Sequence, residues 1–138
     1  MLLKLYGLRR EETMRTARDF MFTFDPKSFE DIQGVLMGPH SGHFRMVLGY
    51  WDMAASFVTN GAIDAKMFYD ANAEYINAFG KVEPFLDPLR KLLNNPDFAK
   101  HLEQVCREGP GGLERVAATR ERMRQILAAR AAMAAQQS

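Results

Sequence analysis

Cysteine is almost absent from this sequence: Cys106 is the only one in 138 residues. A single cysteine excludes a disulfide bond within the chain, and such sparse usage is typical of proteins in a reducing compartment. We therefore expect a cytoplasmic protein. A lone cysteine in a helical segment is usually a small packed side chain, so we predict no nucleophilic role for Cys106.

Long apolar runs and a large excess of one charge are also missing. No stretch approaches the roughly 18 apolar residues of a membrane-spanning helix. Residues 1–10 are too short for a signal peptide and carry their positive charges on the wrong side of the apolar part. The net charge is only +1, which gives the whole molecule no general attraction to nucleic acid. We predict no transmembrane segment and no nucleic-acid partner.

No strong catalytic, metal-binding or nucleotide-binding motif is present. The run His-Ser-Gly-His at residues 40–43 has some catalytic appearance, because a serine beside a histidine is typical of an activated nucleophile. A metal site needs three or four ligands, and the nearest acids, Asp31 and Asp52, stand at no recognised ligand spacing. We interpret the run as a polar loop in which Ser41 or Gly42 caps the next helix. The sequence thus predicts a protein that is not an enzyme and has no catalytic residue, metal ligand or cofactor.

A long apolar stripe is the most informative feature that is present. Its members follow one another at steps of four, three, four, three and four residues, the period of a helix that keeps one face against a partner. The stripe continues through Pro84 and Pro88, although each proline costs roughly 3 kcal/mol inside a helix. We predict a helix kinked at Pro84 and Pro88, with a clean break into two helices as the alternative. The stripe consists of Tyr75, Phe79, Val82, Leu86, Leu89 and Leu93.

The other segments repeat the helical period and are separated by proline, glycine and asparagine. Ser28 with Asp31 fits a capping box, Asp64 is a good N-cap, and Asn95 before Pro96 is typical of a helix start. No segment alternates with the period of a strand. We predict one all-α domain over residues 1–138, a compact bundle of about six or seven helices. After an apolar lead-in at 2–8, the predicted helices cover about 10–22, 28–37, 43–60, 64–93, 95–108 and 113–134. The predicted core consists of Phe44, Trp51, Phe57, Phe68, Tyr75, Phe79, Leu86 and Leu89.

An aromatic cluster on the third and fourth predicted helices offers a candidate binding site. Phe44, Trp51, Phe68 and Tyr75 are its candidate ligand-binding residues, and the nine methionines of the chain would make such a pocket adaptable. The alternative is a filled core rich in methionine and phenylalanine. We therefore predict an interaction or regulatory module of unknown role, with a binder of an apolar small molecule as the alternative.

The charges of the last predicted helix suggest how the chain assembles. Residues 113–138 carry five arginines and two glutamates, residues 1–24 carry five bases and three acids, and the remainder has a net charge of −4. We predict a basic amphipathic helix over 113–138 that lies at or near a homodimer interface, because its charge opposes that of the acidic centre. The alternative is that the helix packs back within one chain.

Two runs of residues resemble a known family. They are Trp-Asp-Met-Ala-Ala-Ser-Phe at 51–57, followed by Asn-Gly-Ala-Ile-Asp at 60–64, and Tyr-Ile-Asn-Ala-Phe-Gly-Lys-Val-Glu-Pro-Phe-Leu at 75–86. With Leu89 and Arg90, these runs resemble a family of small bacterial helical domains of unknown function, some of which carry an N-terminal membrane helix. The resemblance covers about residues 45–93. It implies an all-α fold, and it supplies no catalytic residue because the family has no established activity.

Overall fold

The computed structural model describes residues 1–137, and those residues form α-helices and turns without a single strand. This confirms the predicted all-α class, although the helices are shorter and more numerous than the six or seven predicted. A 3-10 turn at Glu83–Phe85 links two of them. The helices are α1 (Leu2–Arg10), α2 (Glu12–Thr23), α3 (Phe29–Met37), α4 (Ser41–Thr59), α5 (Ala65–Ala71), α6 (Glu74–Val82), α7 (Leu86–Leu92), α8 (Lys100–Glu108) and α9 (Gly112–Gln137).

Helix α4 lies at the centre and packs most extensively on α2 and α8, with α3, α5 and α6 also in contact. It contributes a row of buried side chains, because apolar residues recur along it at helical spacing. Of the predicted core residues, Phe57 alone is only partly buried, at the edge of the cluster. The other predicted core residues are buried, namely Phe44, Trp51, Phe68, Tyr75, Phe79, Leu86 and Leu89.

The predicted caps of α3 and α5 are confirmed. The Ser28 hydroxyl accepts a hydrogen bond from the backbone N–H of Asp31 at 3.4 Å, and the Asp64 carboxylate accepts one from Met67 at 3.0 Å. The prediction that Ser41 or Gly42 caps α4 is wrong. The helix begins at Ser41 itself, so both residues lie inside its first turn, and the cap position makes no side-chain hydrogen bond.

Residues 2–8, predicted to be an apolar lead-in, belong to helix α1 instead. Glu11 separates α1 from α2 and accepts a hydrogen bond from the backbone N–H of Met14 at 3.1 Å, which caps α2. Short helices are marginal on their own, and α1 is anchored by a tertiary contact. The buried Tyr50 hydroxyl of α4 donates a hydrogen bond to the Leu5 carbonyl at 2.7 Å.

The long fourth helix of the prediction is interrupted at Asn72 and Ala73, between α5 and α6. The Asn72 side-chain amide donates to the Phe68 carbonyl at 3.1 Å and so satisfies the C-terminal end of α5. This break divides the segment that the sequence pattern predicts as continuous.

The two prolines of the stripe stand where a missing N–H costs little. Pro84 lies in the 3-10 turn, and Pro88 lies in the first turn of α7, where the backbone N–H groups have no helical partner. The stripe residues are buried up to Leu89, whereas Leu93 is 38% exposed, beyond the end of α7. A bend of the helix axis at Pro84 and Pro88 stays a prediction.

Helix α8 begins at Lys100, later than the predicted start at Asn95 and Pro96. Its cap position is Ala99, which has a left-handed backbone (φ +58°) and no side chain able to accept a hydrogen bond. The Asp52 carboxylate of α4 supplies the cap instead. Its Oδ1 accepts from the backbone N–H of His101 at 3.1 Å and of Leu102 at 2.9 Å.

The longest helix, α9, is supported along only part of its length. Its first half packs on α6 and α8, with Val116, Thr119 and Met123 buried. Every residue from 128 to 137 is exposed. No helix in the described part of the chain is both long and apolar enough to span a bilayer.

Candidate functional site

Three of the four predicted ligand-binding aromatics meet in the core. The rings of Phe68 and Tyr75 lie 5.2 Å apart, and Trp51 lies 6.4 Å from Phe68 and 6.2 Å from Tyr75. Phe44 is separate from this trio and packs edge-on against Phe24 at 5.9 Å. None of the four predicted residues is more than 1% exposed. Their role in ligand binding stays a prediction.

Arg9, at the end of α1, covers this cluster. Its guanidinium lies 5.8 Å from the centre of the Trp51 ring and 5.6 Å from that of Tyr6, so it can interact with both π faces. Its Nη1 donates to the Asn72 side chain at 3.3 Å. The sequence pattern did not predict this contact, because residues 2–8 were interpreted as an apolar lead-in and not as a helix.

A second arginine ties α2 to both α1 and α6. The Nε of Arg18 lies 2.9 Å from one carboxylate oxygen of Glu74 and 3.0 Å from the other. Its Nη1 also donates to the backbone carbonyl of Arg9 at 3.3 Å. Arg18 thus fixes the end of α1 that carries Arg9, the residue whose guanidinium lies over the Trp51 ring.

His40 and His43 are brought together at the start of α4. Their Nδ1 atoms lie 3.4 Å apart, and their ring centres 5.6 Å apart. The His40 ring stacks almost parallel on Phe20, with centres 4.4 Å apart and an angle of 13°. Phe20 in turn stacks on Phe24 at 5.5 Å. His40 is exposed and His43 is half-buried.

A buried cation lies between α2, α6 and α9. Lys81 is only 5% exposed, and its ammonium donates to the Phe22 carbonyl at 3.4 Å. Burial lowers the pKa of Lys81, and the nearby Asp25 carboxylate partly counters that effect. Asp25 is itself paired with Arg124, whose Nε lies 2.9 Å from its Oδ1.

The basic side chains of α9 reach back onto the chain. Arg120 donates to the Gly80 carbonyl at 2.9 Å and lies 4.0 Å from the Glu83 carboxylate. The Arg130 guanidinium lies 4.8 Å from the centre of the Phe22 ring. The side chains of α9 therefore contact the rest of the same chain as far as Arg130, as the alternative interpretation of its charge allowed.

Two further kinds of reactive site would be a nucleophilic thiol at Cys106 and a cluster of metal ligands. Burial, and to a smaller extent the Glu103 carboxylate, raises the pKa of the Cys106 thiol to about 12. A thiol with so high a pKa is protonated at neutral pH and is a poor nucleophile. No three His, Cys, Asp or Glu residues within 1–137 are grouped so that they could hold a metal ion.

Two surface concavities flank α3. One, of about 450 Å³, includes Phe20, Glu30, Asp31 and His40 in its wall. The other, of about 480 Å³, is more apolar and is lined by Gln33, Leu36, Met37, Ser41, Arg45, Leu92 and Leu93. Neither is lined by the aromatic residues that the sequence suggested for ligand binding.

Comparison with known proteins gives one match. The family model described as Domain of unknown function (DUF4760) matches residues 1–108. No curated protein and no solved structure matches the chain. The matched region ends at the last residue of α8, so α9 lies outside it.

Proposed function

The chain belongs to the DUF4760 family, whose function is unknown, and we propose that it is a non-catalytic interaction module that forms a homodimer through the exposed end of α9. The observation that carries this proposal is the contrast within α9. The first half is fixed to the chain by buried side chains, whereas every residue from 128 to 137 is exposed. A fixed first half and an exposed end suit a helix that presents a surface to a partner.

The exposed end of α9 has an apolar face. Ile126, Ala129 and Met133 follow at steps of three and four residues, which places them on one side of the helix. Ile126 is 37% exposed and Met133 is 60% exposed. A helix turned to solvent on all sides has no need of this spacing, which favours a packed partner at this position.

A second copy of the chain is the partner that the charges favour. Arg130 is the only charged residue between 126 and 137, so two such ends can pair antiparallel with little repulsion. Alanine fills most of the remaining positions and lets two helices approach closely. A pair of such short ends buries less than the roughly 800 Å² per partner of a standard stable interface. We therefore expect a weak dimer that dissociates at micromolar concentrations.

Light scattering across a micromolar concentration series tests this proposal. We expect the mean mass of the intact chain to rise toward twice the monomer mass, and Met133→Glu to remain monomeric because it places a charge in the apolar seam. Glutamate is a good helix former, so α9 itself should persist. Met37→Glu is the matched control, since Met37 is 89% exposed on α3. A monomer at every concentration, or a dimer that Met133→Glu does not weaken, would remove the proposed interface.

Two features support a non-catalytic role. The one cysteine is buried with a raised pKa, and the guanidinium groups of Arg9 and Arg18 are paired with Asn72 and Glu74. A cytoplasmic location, also suggested by the sparse cysteine, belongs to the same proposal.

Binding of an apolar small molecule is the second candidate, and it has weaker support. The four predicted ligand-binding residues are almost completely inaccessible, so a ligand would have to displace side chains to reach them. Native mass spectrometry of the purified chain tests this candidate. A copurifying apolar ligand that is lost in Trp51→Phe would favour the binder over the interaction module.

A further inference from the structure

We propose that His40 and His43 together chelate one divalent transition-metal ion through their two Nδ1 atoms. Imidazole nitrogen is a preferred ligand of Zn²⁺, Cu²⁺ and Ni²⁺. The Zn–N distance of 2.0–2.1 Å sets the edge of a tetrahedral site at about 3.3 Å between ligand atoms. The two Nδ1 atoms already lie 3.4 Å apart. A metal could therefore bind both with little rearrangement of the backbone.

The His40 ring is held in place before any metal binds. It stacks on Phe20 at 4.4 Å, Phe20 stacks on Phe24, and Phe24 packs edge-on against the fully buried Phe44. This row of aromatic rings connects an exposed histidine to the core. Because a fixed ligand loses little conformational freedom on binding, the row favours chelation.

The hydrogen bond that the metal would replace is weak. At 3.4 Å the two nitrogens are farther apart than the 2.9–3.0 Å typical of an N–H donor and its acceptor. In the metal-free pair one Nδ1 carries a proton and the other accepts from it. Chelation needs both lone pairs, so that proton moves to the Nε2 atom of the same ring when the other tautomer forms.

The surroundings provide negative charge and room for further ligands. The concavity of about 450 Å³ beside His40 has Glu30 and Asp31 in its wall. Asp31 is occupied by the backbone N–H of Lys27 at 2.8 Å, whereas Glu30 is exposed and forms no ion pair in the described part of the chain. Because no third ligand stands in place among residues 1–137, water or Glu30 after a rotamer change would complete the coordination.

The helix dipole of α4 opposes metal binding. The histidines stand at the N-terminal end of α4, whose dipole disfavours a cation by a factor of about two to five in affinity. The second imidazole raises the affinity, because it binds within the same molecule once the first imidazole holds the metal. We expect this chelate effect to exceed the dipole, giving a loss of at least about tenfold in affinity when either histidine is removed.

Titration of the full chain with Zn²⁺, followed by calorimetry, tests the site. We expect one Zn²⁺ per chain, at least about tenfold weaker binding in both His40→Gln and His43→Gln, and unchanged binding in His101→Gln. His101 is the third histidine of the chain and the matched control, since its Nδ1 lies 2.7 Å from the Thr59 hydroxyl. Melting curves by circular dichroism establish that each variant is folded.

Electron paramagnetic resonance with Cu²⁺ gives an independent measurement, because nitrogen couplings report how many imidazoles bind. Two nitrogens in the intact chain and one in either variant would support the chelate. Saturation at half an ion per chain would overturn it in favour of a site between copies. So would the absence of saturable binding, equal affinities in the intact chain and both variants, or a loss confined to His101→Gln.

Discussion

The Asp52 carboxylate accepts a hydrogen bond from the backbone N–H of Leu102 at 2.9 Å, and so caps a helix fifty residues away in sequence. Helix α8 has no cap of its own, because Ala99 occupies the cap position. We expect Asp52→Ala to lower the free energy of unfolding by about 1–2 kcal/mol, since two N–H groups lose their acceptor. Urea unfolding followed by circular dichroism measures the loss.

Asp19→Ala is the control for this substitution, because Asp19 is an exposed aspartate on α2 that forms no side-chain hydrogen bond or ion pair with any residue of 1–137. It removes the same charge and should change the stability by less than about 0.5 kcal/mol. Equal losses in the two variants would show that the cap contributes nothing beyond the charge.

A second prediction concerns the attachment of α1. Tyr50→Phe removes the buried hydrogen bond to the Leu5 carbonyl and should cost about 1 kcal/mol. Because this bond joins α1 to α4, the loss should appear as faster hydrogen exchange of the amides in α1, with α4 little affected. Tyr6→Phe is the control, since the Tyr6 side chain is half-exposed. If hydrogen exchange became equally faster in all helices, the Tyr50–Leu5 hydrogen bond would not act locally on α1.

The sequence predicted the helical class and most of the core because buried faces recur at the helical period. Trp51, Tyr75 and Phe79 are buried as predicted. The extent of the single domain over residues 1–138 stays a prediction. The short helix α1 was missed because it is joined to α4 by the hydrogen bond from Tyr50 to the Leu5 carbonyl, and a local pattern does not contain that contact.

The interruption at Asn72 shows the same limitation. Alanine on either side of Asn72 favours a continuous helix, yet α5 ends there with the Asn72 side chain bonded to the Phe68 carbonyl and to Arg9. The histidine pair was visible as a sequence cluster, but the 3.4 Å approach of His40 to His43 depends on the turn before α4. Sequence spacing alone could not fix that distance.

The third prediction is that Cys106 is inert in the folded chain. Its pKa is raised from 9.0 to about 12 by burial, so at pH 8 the thiolate fraction is about a thousandfold lower than in an unburied cysteine. A thiol reagent that reacts with thiolate should therefore modify Cys106 only after denaturation. The reaction is measured by absorbance. Rapid modification under native conditions would show that the helix around Cys106 opens readily.

The fourth prediction concerns alkaline pH. Burial raises the pKa of Tyr75 from 10.0 to about 12, so the folded state keeps the phenol protonated after the unfolded state has begun to lose its proton. The stabilisation is complete below pH 10 and is lost as the pH rises toward 12. Two pKa units correspond to at most about 2.7 kcal/mol. Tyr75→Phe has no phenol to titrate, so its unfolding free energy should fall less over this interval, as measured by urea unfolding at each pH.

The last prediction concerns Lys81, whose titration changes stability in the opposite direction from that of Tyr75. Burial lowers the pKa of Lys81 below its usual 10.5, so the folded state releases its proton at a lower pH than the unfolded state does. This group therefore makes stability rise as the pH increases from the folded pKa toward 10.5, and the contribution is lost as the pH falls.

Lys81→Met should remove that rise in stability and be at least as stable as the intact chain at pH 7, because no buried charge remains. Lys91→Met, at an exposed position, should keep the rise. If Lys81→Met were less stable at pH 7 by more than about 1 kcal/mol, the hydrogen bond to the Phe22 carbonyl would outweigh the cost of burying the ammonium.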